Sequence, residues 1–119
     1  MRNIHTKQST NVQNHLAQFY SDTITELEQC ITDNDVVVIG MATNPHVKKA
    51  LKILKKHNIT YTYREYGGYL SAWNQRLAIK MWSGWPTFPQ IFVRGTLIGG
   101  ASDTITALKD GTFEDLQNE

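Results

Sequence analysis

The sequence predicts an α/β fold, a three-layer sandwich in which a four-stranded mixed sheet carries helices on both faces. Three observations predict it. First, the continuous β-branched run Val36-Val37-Val38-Ile39 is followed by an amphipathic helix and then by the alternating segment Ile59-Thr60-Tyr61-Thr62-Tyr63-Arg64. A strand, helix and strand in that order favour a right-handed parallel crossover. Second, two short apolar segments meet at Arg94-Gly95, which reads as an antiparallel hairpin. Third, helical patterns precede, separate and follow these strands. The order becomes helix, strand, helix, strand, helix, strand, strand, helix, and layering helices on such a sheet buries both of its faces.

The first helix is predicted from about Asn14, because Leu16, Phe19, Tyr20, Ile24, Leu27 and Ile31 recur at steps of three and four. Asp22 or Thr23 is a candidate point of division into two helices, and Asp33-Asn34-Asp35 supplies turn residues that end it. Residues 36–39 are short and wholly apolar, as in a strand buried on both faces. After Gly40-Met41-Ala42-Thr43, Asn44 is a good helix cap and Pro45 suits the first helical position. Val47, Ala50, Leu51 and Leu54 give that helix an inward face. Lys48, Lys49, Lys52, Lys55 and Lys56 form either a solvated face or an anionic docking patch. His57-Asn58 ends it. Gly67-Gly68 breaks the chain between Tyr66 and Tyr69, as a groove rim or a plain connection, and residues 70–82 are predicted helical. Leu70, Trp73, Leu77 and Met81 are taken as the inward side of this helix, with Trp73 in the core. Strands over residues 90–94 and 96–98 and a last helix over residues 102–109 complete the fold.

A chain of 119 residues builds one core. Residues 1–14 are expected to be a polar, disordered tail and residues 15–119 a single domain. The tail lacks a secretory apolar stretch; its want of acidic residues, with Arg2 and Lys7, is a faint organelle-targeting sign. Twelve basic and 11 acidic residues leave a net charge of +1 without a basic, aromatic-interleaved run, which speaks against a nucleic-acid partner. No apolar run reaches the roughly 20 residues of a membrane span. Cys30 is the single cysteine. That excludes an intramolecular disulfide and a cysteine-cluster metal site, and it fits a reducing, cytoplasmic location. His5, His15, His46 and His57 show no metal-ligand spacing, so no metal is expected.

Two linked segments carry chemistry. Trp85-Pro86-Thr87-Phe88-Pro89-Gln90-Ile91-Phe92-Val93 and Leu97-Ile98-Gly99-Gly100-Ala101-Ser102-Asp103 resemble the two ligand-gripping loops of the glutaredoxin family, most closely its monothiol class. The entry from Ile79-Lys80 to Gly84-Trp85 is similar as well. The resemblance runs from about Thr23 onward and implies a thioredoxin-like fold with a cis Phe88-Pro89 bond. It implies that Thr87, Phe88 and Pro89 offer backbone to glutathione or an extended peptide. Gly100, Ala101, Ser102 and Asp103 would take the γ-glutamyl end at a helix start, where free N–H groups favour a carboxylate. Ordinary capping by Ser102 or Asp103 is compatible with that role. Arg76 would meet the distal carboxylate through its fork of donors.

The departures from the family decide the expected chemistry. Aligning Pro45 with the proline of Cys-Pro-Tyr-Cys places Asn44 at the nucleophile, His46 at the third position and Val47 at the second cysteine. Thiol–disulfide exchange needs a thiolate, and neither Asn44 nor Val47 supplies one. Met41 stands where the family has a lysine. An iron–sulfur cluster of the monothiol type would need a thiolate at Asn44 and is not expected. His46 alone is poor evidence for a base or a metal ligand, Cys30 reads as a packed thiol, and Trp85 lies beside the presumed groove. The expectation is therefore a noncatalytic glutathione- or peptide-binding module that requires no cofactor. The rivals are a glutathione-dependent redox or cluster-handling protein using Cys30, and a pure protein-interaction module.

Overall fold

The structure, a computed structural model, describes the backbone of residues 10–68 and 70–116 and side-chain surroundings from Ser21 onward. Its elements are α1 (Thr10–Asp33), β1 (Val36–Gly40), α2 (Pro45–Lys56), β2 (Thr62–Glu65), α3 (Trp73–Ser83), β3 (Gln90–Val93), β4 (Thr96–Gly99), α4 (Ala101–Asp110) and a 3-10 turn at Glu114–Leu116. The sheet order is β2-β1-β3-β4. β1 pairs parallel with β2 through Val37↔Thr62 and Ile39↔Arg64. It pairs antiparallel with β3 through Val37↔Phe92, and β3 pairs antiparallel with β4. Arg94 and Gly95 both have positive φ, 49° and 85°, the backbone of a two-residue hairpin turn matched to strand twist.

Alternation along β1 sorts the core into two layers. Val37 and Ile39 face Leu27, Cys30, Ile79 and Phe92, the layer beneath α1 and α3. Val36 and Val38 face Ala50, Leu54, Ile91, Ala107 and Phe113, the layer beneath α2 and α4. A strand covered on both sides must be apolar at every position, which is why β1 reads as an unbroken run.

Three expectations need correction. α1 is one continuous helix of 24 residues. It starts four residues before Asn14, so residues 10–14 are helical; no Gly or Pro interrupts the segment, and Thr23 is buried rather than breaking it. Residues 1–9 and the side chains of Leu16, Phe19 and Tyr20 lie outside the described residues. The second strand is shorter than residues 59–64 and shifted, with Ile59 left in an isolated bridge. The third helix starts at Trp73, after a left-handed Ala72, and faces the opposite way from the expected one. Trp73 is 65% exposed and Met81 64%, with Leu70 and Leu77 also exposed, whereas Arg76, Ala78 and Ile79 are buried. α3 carries apolar residues on two faces, and the inner one wins through Ile79 and the stack of Trp82 on Phe92 at 5.7 Å between ring centroids.

Candidate functional site

The C-terminal end of β1 leads directly into the cap of α2. Asn44 has extended backbone, and its Oδ1 accepts from the N–H groups of His46 at 2.9 Å and Val47 at 3.2 Å. These are amides that a helix start leaves without intrahelical partners. The position that the family gives to a nucleophile is thus held by an amide engaged with its own helix. Val47 and Met41 are buried together with Cys30, Tyr66 and Phe88. Neither contributes a polar group here.

The loop between α3 and β3 runs along one side. Gly84 closes α3 in the left-handed region, φ 76°, and Ser83 Oγ accepts from the Trp85 N–H at 3.1 Å. Gln90, fully buried, donates from Nε2 to the Trp85 carbonyl at 3.0 Å. The Phe88-Pro89 peptide is cis. Phe88 and Pro89 are buried while Thr87 is exposed.

The start of α4 forms the facing wall. Gly99 has φ 118°, and a Cβ placed there would collide with the Asp103 carboxylate. That carboxylate accepts from the Gly100 N–H at 2.9 Å and so ties off the helix start. Ser102 is exposed and Ala101 buried. His46 from α2, Trp85, Thr87, Phe88 and Pro89 from the loop, and residues 100–103 together wall a cleft of about 260 Å³.

Seven of the eight expected ligand residues therefore line one cleft. Arg76 is the exception. It is only 6% exposed, and its Nη1 donates to the carbonyls of Tyr66, at 2.9 Å, and Ser71. Its guanidinium lies 5.5 Å from the Trp73 ring centroid. Sequence reasoning weighs His46 as a base or metal ligand and misses it as a wall of the cleft. Lys80 lies outside that lining, with its Nζ 5.6 Å from the Phe88 ring centroid.

The segment from Tyr66 to Gly68 is pinned beside the site. Tyr66 N–H donates to the Gly40 carbonyl at 2.9 Å and Ala42 N–H to the Gly67 carbonyl at 2.7 Å. Tyr69 lies outside the described residues. The Tyr66 hydroxyl is buried without a hydrogen-bond partner among the described residues. Burial first, then the Glu26 charge, pushes its pKa up to about 12. A larger cavity of about 390 Å³ opens at the other end of β1, lined by Asp33, Asp35 and Asp115 among others. Three carboxylates suit it poorly to an anionic ligand. Among the described residues, no group of three or more His, Cys, Asp or Glu could hold a metal ion. An iron–sulfur cluster does not fit residues 44–47, which offer an amide, an imidazole and no thiolate.

The glutaredoxin family model matches residues 36–98, from β1 through the loop to β4. The chain belongs to the glutaredoxin family. It is similar to a glutaredoxin-like protein of Dictyostelium discoideum, 52% identical over 99% of this chain and 97% of that one. It is also similar to the mitochondrial monothiol glutaredoxin-S15 of Arabidopsis thaliana, 31% identical over 74% of this chain and 53% of the relative. Oxidised glutaredoxin 2 from Chlamydomonas reinhardtii superposes with a TM-score of 0.68 at 26% identity, covering 82% of this chain and 92% of that one. The sandwich is thus the thioredoxin-like fold of glutaredoxins. Among the described residues, no helix is long and apolar enough to cross a membrane.

Proposed function

We propose that this glutaredoxin is a noncatalytic binding module that holds glutathione, a related γ-glutamyl compound or an extended peptide in the cleft between the cis-proline loop and α4. One observation carries the reading: the cleft walls are kept, while the nucleophile position is an asparagine whose oxygen caps α2. The exposed backbone near Thr87 would pair with the ligand's peptide groups in the manner of an added strand. The α4 start and Asp103 would meet the amino-acid end. Arg76 acts on this view as a strut for the turn before α3, and affinity rests on the cleft alone. No cofactor is needed for such binding.

The test is an NMR titration of labelled protein with millimolar reduced glutathione. Shifts clustered at Thr87, Phe88 and residues 100–103 are expected. A folded protein without shifts there overturns the reading. The cytoplasm is the compartment we assign to this activity; import of a C-terminal fluorescent fusion into mitochondria would replace it.

A further inference from the structure

Of the side chains that line the cleft, two can carry charge: Asp103 on the α4 wall and His46 on the α2 wall. Asp103 is already bonded to the Gly100 N–H. The His46 imidazole makes no hydrogen bond or ion pair with any described residue; only its backbone N–H is engaged, by Asn44. The other candidate cations do not line the cleft. Arg76 turns into the segment before α3 and Lys80 lies against Phe88, while Met41, where the family has a lysine, carries no charge.

Resting on the binding role proposed above, we infer that His46 is a ligand-binding residue whose protonation sets the cleft's affinity for a carboxylate-bearing ligand. An α-amino acid end is a zwitterion. Its ammonium fits the Asp103 wall, and its carboxylate, or the next one along the ligand, fits an imidazolium on the opposite wall. Histidine is the side chain that ordinarily changes charge between about pH 5 and 8. α4 presents Asp103, the loop after α3 presents uncharged Trp85, Thr87 and Phe88, and Lys80 lies against Phe88. Lys48 and Lys49 follow on α2 itself and are exposed. Lysine ammonium and carboxylate groups ordinarily keep their charge across this interval, and an α-amino group on the ligand, which titrates near its upper end, acts equally on the natural chain and on a chain without His46.

The experiment is a titration with S-methylglutathione, which has no titrating thiol, at pH 5.5 and pH 8, on the full chain and on His46→Gln. Heteronuclear spectra confirm that both are folded. Expected is an affinity about fivefold higher at pH 5.5 for the natural chain, the worth of one exposed ion pair. His46→Gln should bind with one affinity at both pH values, whatever its level, so that the gain at pH 5.5 is absent. Equal affinity at both pH values, or the same gain in His46→Gln, overturns the inference while leaving the binding role intact. No binding to the natural chain at either pH overturns both.

Discussion

At Asn44 one side chain settles both a structural and a chemical question. Its oxygen takes two N–H groups at the start of α2, and losing such a cap costs about 1 kcal/mol. Asn44→Ala should therefore lower the melting temperature by roughly 4 °C in thermal denaturation; an unchanged value would mean that the cap does not support α2. Tyr66 poses the opposite case, since its hydroxyl is buried and has no partner among the described residues. A folded-state pKa raised from 10.0 to about 12 means that the fold disfavours the phenolate. The corresponding stability is complete below about pH 10, where the unfolded chain titrates, and is lost as pH rises toward the folded value. Tyr66→Phe should be neutral or stabilising at pH 7, because it removes an unsatisfied polar group. It should also extend the folded range above pH 10 when unfolding is followed by circular dichroism against pH. A loss of stability at pH 7 would reveal a partner for that hydroxyl.

Among the elements, β1, α2 and the β3–β4 hairpin were legible in the sequence because each carries an unambiguous local signal. The β-branched run, the Asn44-Pro45 start and the Arg94-Gly95 turn all point one way. Two spaced loop motifs likewise sufficed to place Thr87, Phe88 and residues 100–103 in one cleft. α3 was misread because its sequence satisfies helical periodicity on two faces, and periodicity alone does not rank them. Arg76 decided against the apparent core face: its stem packs inward and its head finds the Tyr66 and Ser71 carbonyls. No spacing rule shows that backbone ten and five residues upstream, outside the helix, will present those acceptors. The consequence is measurable. Ile79→Ala should cost about 2–5 kcal/mol in chemical denaturation, as a large-to-small change in a filled core. Met81→Lys, on the exposed face, should stay within about 0.5 kcal/mol of the natural chain. Equal costs would mean that the outer face of α3 is covered in solution.

Across the whole molecule, the sheet divides the core into two layers, and the one cysteine sits in the layer beneath α1 and α3. Cys30 is buried under α1 with Leu27, Val37, Ile79 and Phe92, and it does not line the cleft. For its thiolate to attack a disulfide, α1 would have to leave the sheet, exposing much of the apolar layer that stabilises the fold. Thiol reactivity should therefore report on opening of the molecule rather than on the ligand site. Native protein mixed with an aromatic disulfide reagent is expected to react slowly. Its rate should rise across the same guanidinium range in which the near-ultraviolet circular dichroism of the Trp82–Phe92 stack disappears, since both groups belong to one layer. The native chain should show no turnover in a glutathione-dependent disulfide assay, and Cys30→Ser should bind glutathione as the natural chain does. Rapid reaction of native Cys30, with turnover that vanishes in Cys30→Ser, would instead make α1 a separately opening layer and give the protein a thiol chemistry that its cleft does not supply.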